Sequence, residues 1–159
     1  MRVYLPLTVT DLADLHARGR IATPPFVAHA VTPSLRLAWA DSDEDELEYA
    51  VLMAAAFGSL TRIADTGARP RRVVVVAEVD EANVLVGDDE TEVVVSAEIP
   101  LARCTAVHVD DIEAEADVAL AMTLLPQAAE GDGRALAAVS LMEHELMWFA
   151  TQEIPDLLG

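Results

Sequence analysis

The sequence predicts an α+β fold: one domain over residues 1–159, with a mixed or mainly antiparallel sheet of about five strands packed against roughly four or five helices. Three observations carry that prediction. Strand-like runs at 72–79, 92–99 and 105–109 follow one another with no helical pattern between them, which argues against a doubly wound sheet. A long apolar helix, 44–64, sits amid them in the chain order strand, helix, strand, helix, three strands, two helices. A chain of 159 residues buries about two thirds of its unfolded surface, enough for one core without staples.

The elements follow in order. Residues 2–7 alternate Val3, Leu5 and Leu7 on one face with Tyr4 on the other, a first strand. Thr8 or Thr10 caps a short helix, 10–18, with Leu12, Leu15 and His16 at helical spacing, and Gly19 ends it. Pro24-Pro25 breaks the chain before a strand at 26–31. Thr32-Pro33 opens a helical segment with proline first, where Leu35 and Trp39 sit four apart. Asp43 and Glu46 fit the cap of helix 44–64, whose acids lie where the helix dipole favours them. The middle of that helix, from Tyr49 to Phe57, is apolar all round. Such a helix is covered on two sides or buries one side in a partner. Tyr49, Leu52, Met53 and Phe57 are therefore the expected interface of a homo-oligomer or a complex with another protein.

The strand at 72–79 has valines facing both ways and is expected at the centre of the sheet. A polar loop with Gly87-Asp88-Asp89 follows. Pro100 ends the strand at 92–99, residues 100–103 form a helical turn, and 105–109 is the next strand. Asp110-Asp111 caps a helix at 112–125, and 126–133 is a loop. The last helix is expected over 134–152, with Val139, Met142, Leu146 and Phe149 as its apolar stripe and Pro155 beyond its end.

Composition excludes several functions. There are 28 acids against 10 bases, every base is arginine, and the formal charge is −18. Neither a phosphate-tracking nucleic-acid surface nor a polybasic membrane patch fits that balance, so no nucleic acid and no membrane is expected as partner. A hydrophobic content of 53% excludes a disordered acidic tail. The single cysteine, Cys104, excludes an internal disulfide framework and reads as a small core residue. No apolar run of signal-peptide type precedes Asp11, and the apolar stretch 49–57 is shorter than the roughly 18 residues of a membrane span, so a cytoplasmic location is expected.

Strong catalytic motifs are absent: no glycine-rich phosphate loop, no Gly-x-Ser-x-Gly elbow, no His-Glu-x-x-His. Two weaker constellations remain. His108-Val109-Asp110 ends a strand with its outer two side chains on one face, a pattern that suits a divalent metal or a general base; the plain alternative is a histidine beside a helix cap. Glu143-His144-Glu145 lies on the last helix, where His144, Trp148 and Gln152 share a face at four-residue spacing; that face lines a ligand pocket or is simply solvated. If that helix packs beside 105–109, then His108, Asp110, Glu143 and His144 form a zinc or manganese site. No cofactor is implied otherwise. Arg69, Arg71 and Arg72 form the one basic cluster, a ligand or partner contact, or a solvated loop offsetting nearby acids. His29 reads as a core or edge histidine and His16 as an exposed one.

Six stretches carry a resemblance. They are Arg2-Val3-Tyr4-Leu5-Pro6, Ala30-Val31-Thr32-Pro33-Ser34-Leu35-Arg36, Asp45-Glu46-Leu47-Glu48-Tyr49-Ala50, Arg71-Arg72-Val73-Val74-Val75, Ala106-Val107-His108-Val109-Asp110-Asp111 and the run from His144 to Glu153. With these the chain resembles, over its whole length, a family of small acidic uncharacterised proteins of actinobacteria. The resemblance implies one cytoplasmic domain and a GC-rich codon bias as the source of the missing lysines, and it transfers no catalytic residue. The expected function is a non-enzymatic protein-binding or self-associating acidic domain. The alternatives are a small metal- or ligand-dependent enzyme using His108, Asp110, Glu143 and His144, and a DNA mimic built on the acidic clusters at 41–48, 80–92 and 110–117.

Overall fold

Alternation in the first strand sets the frame of the molecule. In the computed structural model, which describes residues 1–21 and 23–158, β1 (Arg2–Leu7) sends Val3, Leu5 and Leu7 to one face and Tyr4 to the other. Both faces meet a layer of helices. β4 (Val73–Glu78) pairs with β1 along its whole length, from Arg2↔Glu78 to Leu7↔Val73. Its valines are buried on both sides, as a central strand requires. β8 (Cys104–Val109) flanks β4, with a bulge at Val76/Ala77, and β9 (Met147–Phe149) flanks β8. On the far side of β1 lie β3 (Phe26–His29), β6 (Glu92–Val95) and β5 (Val84–Val86). The result is a seven-stranded sheet of order β5-β6-β3-β1-β4-β8-β9, antiparallel at every pair. A separate two-stranded ribbon joins β2 (Arg20–Ile21) to β7 (Ile99–Pro100).

α1 (Val9–Arg18) and α6 (Ile154–Leu157) cover the Val3–Leu5–Leu7 face. Thr8 caps α1 in a reciprocal box with Asp11, and Gly19 ends it at φ +72°, a conformation glycine adopts without strain. α3 (Glu44–Thr66), entered through α2 (Pro33–Ala38), crosses the Tyr4 face. Its C-terminal half packs Leu60 and Ile63 against a hairpin of α4 (Glu115–Ala129) and α5 (Gly133–Ser140). The stretch that reads as apolar all round, Tyr49 to Phe57, is thus covered by the sheet on one side and leaves Tyr49 and Phe57 about half exposed on the other. By length and composition alone α3 could cross a bilayer, at 23 residues and a mean hydropathy of 1.3; here it packs on β1, β3, β4 and α4.

Four expectations need correction. The sheet has seven strands, not about five, because β9 and β5 lie where the sequence reads as helix and as polar loop. The last helix does not run from 134 to 152. It stops at Ser140, where Leu141 turns left-handed at φ +48°, and Met147–Phe149 then closes the open edge of β8. Bulky Trp148 and Phe149 suit that strand better than a helix. The strand expected at 92–99 is divided into β6 and β7, which belong to different sheets. The helix expected at 112–125 begins as a 3-10 turn at Ile112–Ala114, and α4 carries Pro126 inside its last turns to Ala129, at the cost of one helical hydrogen bond.

Candidate functional site

The basic cluster is largely interior. Arg72 is 3% exposed and Asp110 is 0% exposed. The Asp110 carboxylate accepts from Arg72 Nε and Nη2, both at 2.8 Å, and from the Arg72 backbone N–H at 2.9 Å. Arg72 Nη2 also donates to the His144 carbonyl at 2.9 Å. Arg71 donates to the carbonyls of Asp110 and Leu157, at 2.8 and 3.2 Å. These two arginines tie β4 to the end of β8, to the segment before β9 and to α6. Arg69 is exposed and pairs with Glu115.

The histidines and carboxylates of the expected metal set do not converge. His144 Nε2 lies 2.7 Å from Asp117 on α4. Glu143 is exposed in the turn after α5, and Gln152 is exposed in a 3-10 turn. The helical face expected for His144, Trp148 and Gln152 does not form, because Trp148 stands in β9 and the other two flank it outside any α-helix. His108 sits opposite Trp148 in the β8–β9 register, and with Arg2 and Tyr4 they line a shallow recess of about 260 Å³. Among the described residues no three His, Cys, Asp or Glu side chains gather as a metal site. On α3, Tyr49 and Phe57 are 53% and 49% exposed, while Leu52 and Met53 are half-buried.

A larger feature lies where none of the motifs pointed. β3 pairs with β6 at every residue but with β1 only at Tyr4↔His29. The cause is legible in the backbone. Met1 and Val79 exchange both of their backbone hydrogen bonds, which sets the phase of the β1–β4 ladder. The odd positions of β1, Val3, Leu5 and Leu7, therefore bond towards β4, and the even ones, Tyr4 and Pro6, face β3. Pro6 has no N–H to offer Val27, the residue opposite it, so the paired register ends at Tyr4↔His29. The sheet splits there. α1 lies over one side of the split and α3 over the other, and together they enclose a cleft of about 980 Å³. Its apolar lining includes Pro6, Leu15, Phe26, Val27 and Phe57. Gly58 lets α3 approach β1: a Cβ there would lie 2.9 Å from Pro6 Cβ. A proline inside a strand and a glycine inside a long helix were the available sequence signals.

Charged groups ring the opening. Arg62 of α3 reaches across to Asp11 of α1, with Nη2 to Oδ1 at 2.8 Å. Burial alone would raise the Asp11 pKa, but the hydrogen bonds from Arg62 and Thr8 outweigh it and leave it lowered. His29 is 9% exposed and holds Nδ1 at 3.0 Å from Thr91 Oγ1. Its Nε2 lies 3.5 Å from the position a Gly58 Cβ would take, at the level of the Pro6 contact. Burial lowers the His29 pKa below 6.5, and nearby Glu92 and Asp89 only partly oppose it.

The His29 shift makes stability depend on pH. The unfolded chain takes up a proton near pH 6.5, and the folded chain does so only at lower pH. Stability from neutral His29 is complete above 6.5 and is lost as pH falls through the folded value. The pKa of His108 is also lowered by burial, and adds with the same sign. Urea midpoints measured from about pH 7.5 down to about pH 5 should fall, and His29→Gln should flatten the fall. An unchanged slope in His29→Gln refutes the assignment.

No curated protein and no solved structure matches the chain. The model of one family of unknown function, DUF6912, matches residues 1–158, and the chain with its split antiparallel sheet belongs to that family.

Proposed function

We propose that this chain is a cytoplasmic, non-enzymatic protein-binding domain, and that the cleft between α1, β3 and α3 receives the partner. The observation that carries this reading is the cleft where the paired register of β1 and β3 ends. It holds about 980 Å³ with an apolar floor and charged groups at its opening, within the size range of natural ligand sites. The groups with chemical potential around it are held by neighbours, Arg62 by Asp11 and His29 Nδ1 by Thr91, which suits holding a ligand better than transforming one.

Self-association along α3 is the second reading, favoured by Tyr49 and Phe57, two turns apart and each about half exposed. Phe57 belongs to both surfaces.

One experiment tests both. Backbone amide spectra of the whole chain are recorded during titration with a randomised pool of short peptides. Shifts concentrated at Val27, Phe57, Gly58 and Thr61 are expected. No shifts, or shifts confined to other surfaces, would overturn the cleft as binding site. Relaxation rates in the same samples report tumbling. A dimer that dissociates on dilution supports self-association, and monomeric tumbling throughout refutes it.

A further inference from the structure

The unpaired charges of the cleft are negative. Pro6 and Pro25 both line it, and neither carries an N–H. Pro6 stands opposite Val27 in the β1–β3 register and has no N–H to give it, so the Val27 carbonyl receives no hydrogen bond from β1. The Thr61 and Thr66 hydroxyls donate into their own helix, to the carbonyls of Phe57 and Arg62 at 3.2 and 2.8 Å. Of the three lining arginines, Arg62 is held by Asp11, Arg18 lies 3.9 Å from Asp14, and Arg20 lies 3.5 Å from Glu98. Against these stand the exposed carboxylates of Asp65 and Glu92, which line the cleft and join no ion pair among the described residues. The whole chain adds a field of −18 charges, which attracts cations and repels anions.

The two free acids are spaced along the cleft. Glu92 is opposite His29, and His29 is level with Gly58 on α3. Asp65 lies two turns further along, about 10 Å of helix rise. An extended chain covers that distance in about three to four residues.

From this balance we infer that the cleft takes an extended segment of a partner protein bearing two arginine or lysine side chains about three to four residues apart. A backbone N–H of the segment meets the Val27 carbonyl. Its cations meet Glu92 and Asp65. Its apolar side chains rest on Phe26, Val27 and Phe57. The inference rests on the cleft being the binding site.

The test uses the full chain and four probes read by calorimetry. They are the acetylated, amidated peptide Arg-Val-Thr-Val-Arg, its twin with glutamate for arginine, its twin methylated on alternate backbone nitrogens, and spermidine. The arginine peptide is expected to bind, to weaken as salt rises, and to weaken about threefold to tenfold in Asp65→Asn and in Glu92→Gln. The methylated twin is expected to bind at least about threefold more weakly. Both variants remove an exposed group without an ion pair, so the fold is retained. Equal binding of the arginine and glutamate peptides overturns the cationic assignment. Equal binding of the methylated twin overturns the backbone pairing. Spermidine bound as tightly as the peptide assigns the site to a free cation and overturns the partner segment. In each of these cases the random-pool shifts at Val27 and Phe57 still stand. Their absence is the separate result that removes the cleft itself.

Discussion

Asp110→Asn is expected to destabilise the folded chain by about 3–5 kcal/mol. The substitution keeps the shape and removes the charge. Arg72 then holds a full positive charge at 3% exposure, with its one ion-pair partner gone. A buried charge left alone costs far more than the intact pair contributes. Three hydrogen bonds to the carboxylate weaken together: two from the guanidinium and one from the Arg72 backbone. For a domain of this length, that loss lowers Tm by about 6–20 °C. Urea unfolding of the single variants and of the double variant Arg72→Met/Asp110→Leu checks the mechanism. The double variant should be more stable than either single one, because it removes both charges from the interior. A loss below about 1 kcal/mol in Asp110→Asn would mean that the charge of Arg72 reaches water after all, and would sink the argument.

This pair also marks where the sequence stopped being legible. The alternation of Val3, Tyr4 and Leu5, the Thr8 and Asp43 caps and the valine run of β4 are local patterns, and each appears as read. Arg71 and Arg72 were visible as a cluster, but their burial depends on Asp110, 38 positions from Arg72. The segment 134–152 carries a fair helical stripe. What overrules it is the unpaired edge of β8, which local propensity does not contain. His108 and Trp148 do come together, across a strand pair, with His144 turned away to Asp117. The cleft left two local traces, Pro6 inside a strand and Gly58 inside a long helix. The meaning of the first depended on which neighbour Pro6 faces, and that is set by the register of β1 on β4.

Ser59→Ala tests how that register is held, and a loss of about 2–4 kcal/mol is expected. Ser59 is 0% exposed. Its hydroxyl donates to the Leu7 carbonyl at 2.6 Å and accepts from the Val73 N–H at 3.0 Å. It is bonded to both members of the last β1–β4 pair, Leu7↔Val73, so α3 is tied into the sheet at its terminus. Alanine takes that partner from one buried donor and one buried acceptor. Each costs about 1–3 kcal/mol unless the strands close up to bond directly. Closing up is opposed next door, where Gly58 already brings α3 to the limit against Pro6. The exposed Ser96, which donates to the Asn83 carbonyl at 3.2 Å, is the control: Ser96→Ala should change stability by less than about 0.5 kcal/mol. A second readout separates structural from functional consequences. Ser59 fixes the helix that walls the cleft to the strand that floors it, so Ser59→Ala should speed amide exchange at Val73 and weaken the arginine peptide together. Asp110 does not line the cleft, so Asp110→Asn should lower stability and leave the affinity of the remaining folded chain unchanged. If both variants lose affinity alike, the cleft is no more than a reporter of global stability, and its role as a site falls with it.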